Sequence, residues 1–298
     1  MIRQTVPLLF VLPLFALSLG ATVITPPGGG VHNPAPVFDY HETCDISGHC
    51  WFGNDLSSDI SGLTLLGSAQ LSGDSIILTP DATWQYGTVA YNTPLDLTGD
   101  TFSMYASFSI NSSGPPADGL IFGFQPNLDE SGPLGGALGI YGQLGLFVVL
   151  DTFQNTDYGD PPSPSVALIG CGTGNGADPN HFHGCTLAMA PLGFSVVDGA
   201  NHSLSITYAS GQLAVGVDAN PVIDTPLALS SYVTGPIYTE VSAATGGLSE
   251  EAMLSSWRLY ASPAVAPEPA GTAVIGLALL AVGVGVRRPR ISHKIVSG

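Results

Sequence analysis

Asp151, Phe153, Asn155 and Asp160 lie within ten residues of one another and carry three kinds of oxygen donor. Calcium takes six to eight oxygens at about 2.3–2.6 Å, mixing carboxylates, amides, carbonyls and water. Asp151, Asn155 and Asp160 offer side-chain oxygens at offsets of 0, 4 and 9, and Phe153 can add its carbonyl. Gly159 and Pro161 let the chain turn back so that Asp160 reaches the same ion. The bland alternative is an Asp/Asn-rich surface turn, which accounts for most such strings taken alone. Upstream stand Ala117-Asp118-Gly119-Leu120 and Gly135-Gly136-Ala137-Leu138-Gly139. By itself Asp118 would read as a turn residue before a buried strand.

In order and spacing these three segments resemble the sugar- and calcium-binding core of the legume (L-type) lectins. The resemblance implies that Asp151, Phe153, Asn155 and Asp160 are the protein ligands of a calcium ion. It also implies that Asp118 accepts from two sugar hydroxyls, while the Gly136 backbone N–H and the Asn155 carboxamide donate. Phe153 would offer an apolar ring to the C–H side of the sugar, as an aromatic does at modest entropy cost. Asn155 would serve twice, since placing its oxygen on calcium fixes where its nitrogen points. In such lectins the peptide equivalent to Ala117–Asp118 is cis, and the loop 245–250 would rim the site.

This sequence departs from the family in one respect. Legume lectins hold a transition metal beside the calcium, through a Glu two residues before the first Asp and a His after the loop. Those positions are Val149 and Ser165 here. An apolar side chain and a hydroxyl cannot replace a carboxylate and an imidazole, so the second metal site is expected to be absent or rebuilt. His181 or His183 is the candidate substitute, against the simpler reading of exposed loop histidines.

Short strands must position these residues. Phe102, Met104, Ala106, Phe108 and Ile110 alternate with Ser103, Ser107 and Ser109, the period of a half-buried strand. Leu204, Ile206 and Tyr208, then Leu213, Val215 and Val217, predict a hairpin about residues 209–211. Residues 145–151 are nearly continuously apolar, which predicts a central strand covered on both faces. No long stretch shows a 3.6-residue apolar period, so the fold is all-β: two facing antiparallel sheets in a jelly-roll sandwich. The resemblance extends along the chain and makes this a concanavalin A-like sandwich. Phe38 begins the domain, residues 63–79 read like the family's opening hairpin, and residues 87–97 follow its G-x-v-x-Y-x-x-P-l-x-l segment. Val241–Gly246 with Ser256-Trp257 matches its closing pattern. No internal repeat is evident.

The ends carry signals of another kind. Arg3, the apolar run of residues 8–19 and the small Gly20-Ala21 read as a secretory signal peptide over residues 1–21. A Pro/Gly-rich lead-in spans 22–36, the lectin-like domain 37–261 and a Pro/Ala-rich linker 262–269. Pro267-Glu268-Pro269, the apolar run 270–286 and Arg287-Arg288-Pro289-Arg290 resemble the PEP-CTERM sorting signal of Gram-negative bacteria, over residues 267–290. That resemblance implies recognition by an exosortase. The run is just long enough for a transmembrane segment, with the basic cluster left in the cytoplasm. The tail runs eight residues past the cluster, longer than is usual for the motif, and an ordinary C-terminal anchor is the alternative.

Net charge and cysteines narrow the function. The formal charge is −17, with six Lys and Arg in 298 residues, which excludes nucleic-acid binding by the body of the chain. Cys44, Cys50, Cys171 and Cys185 allow three disulfide connectivities, and the local pairs are preferred in an oxidising compartment. Zinc competes, because His41, His49, His181 and His183 lie near them, but the spacings match no common zinc signature. No Glu-x-Asp-x-x-Glu run of a sandwich glycosidase occurs, Glu250-Glu251 fall in a loop, and no Ser-His-Asp arrangement has motif context. Cys171 reads as a cystine half before a nucleophile. The expectation is a non-catalytic, exported, calcium-dependent carbohydrate-binding protein of the bacterial surface or extracellular matrix. The alternative is a structural envelope or biofilm-matrix protein on the same fold without sugar binding. The partners expected are saccharides and, during export, an exosortase; the resemblance also leaves a homodimer open, since many relatives pair edge to edge.

Overall fold

Alternation shapes the longest strands. In Thr101–Asn111 every even residue from Phe102 to Ile110 is buried and every odd one is partly exposed, as a strand lying on a core requires. The structure, a computed structural model, describes residues 41–44, 50–54, 60, 62–97, 101–128 and 133–261. The signal peptide, the 22–36 lead-in, Phe38, the 262–269 linker, the PEP motif with its apolar run, and His49 lie outside the described residues. So do the side chains of Cys44 and Cys50, whose backbones face each other across a hairpin. Among the described residues no helix is long and apolar enough to cross a membrane.

Two antiparallel sheets make up the fold. One is ordered His41–Cys44, Cys50–Asn54, Glu251–Ala261, Thr101–Asn111, His202–Ala209, Gln212–Val217, Asn220–Pro226, with Ser75–Thr79 and then Gln70–Ser72 alongside Glu251–Ala261. The other is ordered Thr186–Pro191, Ser165–Ile169, Leu146–Asp151, Gly119–Gln125, Pro236–Ala244, Tyr86–Tyr91, Leu63–Gly67. Late strands therefore lie in the middle of both sheets, the jelly-roll hallmark. Phe108, Met104, Leu254 and Trp257 from the first sheet and Leu120, Phe122, Phe124, Val148 and Leu150 from the second fill the space between them. Each such side chain contributes about 1.5–3 kcal/mol on burial, against the conformational entropy of ordering it.

The apolar run is central, as its composition predicts. Every residue of Leu146–Asp151 is buried. Leu146, Val148 and Leu150 face the inter-sheet core, while Phe147 and Val149 join Ile121, Ala167 and Ile169 on the outer face. Leu138, Ile140 and Ala177 cover that outer face, so a loop closes it. The 202–217 hairpin is also as expected. Ala209 pairs with Gln212, and Ser210 (φ 52°) and Gly211 (φ 77°) form a two-residue left-handed turn.

The opening hairpin is narrower than residues 63–79. Leu63–Gly67 pairs with Tyr86–Tyr91 in one sheet, and only Gln70–Ser72 and Ser75–Thr79 pair as a hairpin, in the other. Gly67 makes the crossing: its φ is 64°, and a Cβ there would stand 2.0 Å from the Tyr86 carbonyl oxygen. Glu251 also departs from the sequence reading: it opens the strand Glu251–Ala261, while Glu250 ends the loop before it and is fully buried.

Candidate functional site

Asp118 enters the site on backbone bonds to two other segments. Its N–H donates to the Ala244 carbonyl (3.0 Å), and its carbonyl accepts from the Thr152 N–H (3.1 Å). The Ala117–Asp118 peptide is cis, as the resemblance implies. Gly119 follows at φ 136°, where a Cβ would meet the Leu150 carbonyl oxygen at 2.1 Å, so no larger residue fits beside Asp118. The Asp118 side chain is buried, and its Oδ2 has no hydrogen-bond partner. Burial, and then the nearby Asp160 carboxylate, push its pKa up to about 6.

Glycines let three loops meet around it. A 3-10 turn at Gly135–Ala137 brings Gly136 against the Asn155 carboxamide, where a Cβ would sit 2.9 Å from Cγ and Nδ2. Gly246 has Gly135 Cα 2.6 Å and Asp118 Oδ2 3.0 Å from its own would-be Cβ. Ala117, Asp118, Gly135, Gly136, Phe153, Asn155, Gly247 and Leu248 line an open pocket of about 210 Å³. The four residues expected to touch a saccharide thus share one pocket, which Gly247 and Leu248 of the 245–250 loop also line.

The expected calcium loop lies directly behind. Asp151 ends its strand and accepts the Phe153 N–H on Oδ1 (2.8 Å), and Asp160 Oδ2 accepts the Asn155 N–H (2.6 Å). A 3-10 turn at Thr156–Tyr158 closes on Gly159 at φ 83°, which returns Asp160 toward Asp151. Burial, then the charge of Asp160, raises the Asp151 pKa well above the carboxylate range, with Asp118 and Glu250 adding to the push. Carboxylates crowded in this way destabilise one another unless protons or a cation intervene. Among the described residues no three His, Cys, Asp or Glu side chains are arranged to hold a metal on their own. The set at 151–160 is different in kind: two carboxylates, a carboxamide and a main-chain carbonyl. These are hard oxygen donors, which suit calcium rather than zinc, and the orphaned Oδ2 of Asp118 borders them.

The structure distinguishes the two histidines. His181 Nε2 is 3.3 Å from Asp160 Oδ1 with both side chains nearly buried, whereas His183 is exposed and bonded to Asp178. Val149 packs in the outer apolar cluster and Ser165 is buried opposite Asp151. Cys171 and Cys185 form the local disulfide.

Two residues near the site escape sequence reasoning. Glu250 accepts from Thr152 Oγ1 (2.7 Å) and leaves Oε1 without a partner. Burial raises its pKa to about 8 against that hydrogen bond, with Asp118 and Asp81 adding to the rise. Nothing in the Glu-Glu pair at 250–251 signals which one is buried. Trp84 is 64% exposed at φ 58°, and its N–H donates to the Gly246 carbonyl (3.1 Å) beside the pocket rim.

Residues 52–274 match the family model described as the legume lectin domain. This chain belongs to that family. The lectin domain is 27% identical over 224 residues to the L-type lectin-domain containing receptor kinase VIII.1 of Arabidopsis thaliana, covering 68% of this chain and 31% of that protein. The probable L-type lectin-domain containing receptor kinase S.7 of the same plant is 25% identical over 233 residues, covering 69% and 34%. The chain thus spans about a third of the length of these relatives. Among solved structures it is similar to peanut lectin, at TM-score 0.62 and 22% identity over 72% of this chain and 97% of the other. It is also similar to the VIP36 exoplasmic/lumenal domain in its Ca2+/Man-bound form, at 0.60 and 21% over 70% and 87%. At these identities the likeness establishes the concanavalin A-like fold.

Proposed function

We propose that this chain is a calcium-dependent carbohydrate-binding protein acting outside the cell. The observation that carries the reading is the shared pocket of Asp118, Gly136, Phe153 and Asn155 on a lectin fold. A saccharide offers vicinal hydroxyls and an apolar C–H face. Asp118 supplies a buried acceptor with a free oxygen, the Gly136 N–H and Asn155 Nδ2 supply donors, and Phe153 supplies the ring. Asp151, Phe153, Asn155 and Asp160 would hold calcium, whose chemistry here is to neutralise the carboxylates and set the Asn155 carboxamide. The VIP36 domain with bound Ca2+ and mannose shows the same fold in that state, and this supports a comparable use of the site. A transition metal at Val149 and Ser165 forms no part of the reading.

Residues 1–21, 22–36, 37–261, 262–269 and 267–290 are assigned as signal peptide, lead-in, lectin domain, linker and PEP-CTERM signal. On this assignment the domain acts at the surface or in the extracellular matrix of a Gram-negative bacterium, with an exosortase as partner during export. Asp118→Ala on a glycan array is the test. Wild type should bind a defined set of glycans, and Asp118→Ala should lose all of them while still folding. Equal binding by the two proteins would contradict the assignment. Binding of no glycan by wild type would favour the structural matrix reading.

A further inference from the structure

We infer that the disulfide-closed segment 171–185 is a brace that positions Asp160, and so sets the calcium affinity on which the proposed function rests. Two cross-links close the segment at its base: the Cys171–Cys185 disulfide and the Gly170 N–H bond to the Cys185 carbonyl (2.8 Å). Its tip is a 3-10 turn, His181–His183, capped by Asn180, whose Oδ1 accepts the Phe182 N–H at 3.0 Å. Asp178 fastens the tip from below, through the Asn180 N–H (3.0 Å) and His183 Nδ1 (2.7 Å). A segment held this way loses little further freedom when it makes a contact, so its contacts act as fixed points.

The tip makes two contacts with the calcium loop. The Phe182 ring lies over Gly159, within 2.9–3.2 Å of where a Cβ would project. It holds down the left-handed glycine that turns the chain back. His181 reaches Asp160 Oδ1 at 3.3 Å from the side opposite the Asn155 N–H, which occupies Oδ2. Its other ring nitrogen, Nδ1, is hydrogen-bonded to Thr186 Oγ1, just beyond the disulfide. With the Thr186 hydroxyl donating to Nδ1, the ring N–H is left on Nε2, which faces Asp160 Oδ1 at 3.3 Å. Asp160 is nearly buried beside Asp118 and Asp151. Their like charges would drive it outward if it were not held from both sides. His181 is therefore a positioning residue, anchored to a covalently closed scaffold, for the last carboxylate of the calcium set. Partners that orient a metal ligand in this way typically change metal affinity by about 10–100-fold when removed.

The test is calcium titration by calorimetry on the full-length chain, with hydrogen exchange of residues 152–160 alongside. His181→Ala and the double variant Cys171→Ser/Cys185→Ser should each weaken calcium binding by about 10–100-fold. Both should speed exchange in the calcium loop and leave the sheets protected. His181→Gln keeps an N–H donor and should recover most of the affinity, which a merely structural role would not predict. Unchanged affinity in His181→Ala, with calcium still bound, would overturn the brace alone. So would a stoichiometric second cation, manganese or zinc, held in the wild type and lost with His181. If the wild type binds no calcium, the calcium reading falls and the brace falls with it.

Discussion

Asp118 and Gly136 shape the pocket by opposite means, one through a charge that finds no partner and the other through the absence of a side chain. Replacing Asp118 with Ala removes the buried acceptor that the proposed saccharide would use. Glycan affinity should fall on the order of a hundredfold or more, given about 1.5–3 kcal/mol for each charged hydrogen bond. Gly136→Ala is a gentler probe. Its Cβ would stand 2.9 Å from the Asn155 carboxamide, which must then move. A loss of at least roughly tenfold, about 1.4 kcal/mol, is expected in a binding titration, and unaltered affinity would show that Asn155 does not orient the ligand. Asp118 by itself reads as a turn residue before a buried strand, so the residues of this pocket were legible through the resemblance to the legume lectins. Glu250 was not, because its burial depends on Thr79 and Thr152, which reach it from far along the chain.

At the scale of elements, periodicity carried most of the fold. Thr101–Asn111, the 202–217 hairpin and the doubly covered 146–151 strand all follow from which residues are apolar and how often they recur. The exchange of sheets at Gly67 did not follow. The apolar residues on either side suit a strand in either sheet, and the deciding contact is with Tyr86. The loop that closes the outer face of Leu146–Asp151 was likewise hidden, since Leu138 and Ile140 look like any loop aliphatics until Val149 needs a cover. Val149 supplies an element-scale test. It packs among Phe147, Ile121 and Ala167, so Val149→Glu would bury an unpaired carboxylate. Chemical denaturation should show a loss of about 3–5 kcal/mol. A near-neutral result would mean that this face is wetter than the packing indicates, or that a cation joins the new carboxylate.

The whole molecule adds a pH dependence from a cluster that does not line the pocket. His202 is buried between Asp218 (2.7 Å) and Asp198 (3.0 Å). Burial alone would lower its pKa, but the two carboxylates outweigh this and hold it above its usual 6.5. His202 therefore stabilises the fold fully below pH 6.5, and that contribution is lost as pH rises through the raised value. Asp218 moves the other way: burial raises its pKa, but the bonds from His202 and Ser203 prevail and hold it below 3.8. Its contribution is present above pH 3.8 and is lost as acid protonates it. Thermal melts should place the cluster's largest contribution between about pH 3.8 and 6.5. His202→Gln should flatten the alkaline limb of that profile, and an identical pH profile in the variant would contradict the assignment. The strongly negative charge, −17 over 298 residues, favours attraction of divalent cations.

The most direct measurement of the central claim is the affinity of the wild-type chain for an array-identified glycan across a series of free calcium concentrations. On the proposed reading calcium and saccharide meet at the Asn155 carboxamide, so each should tighten the other by the same factor. The account predicts that glycan binding disappears under a chelator, returns when calcium is restored, and is matched by tighter calcium binding once glycan is present. Glycan affinity that stays constant from chelator to millimolar calcium would contradict it.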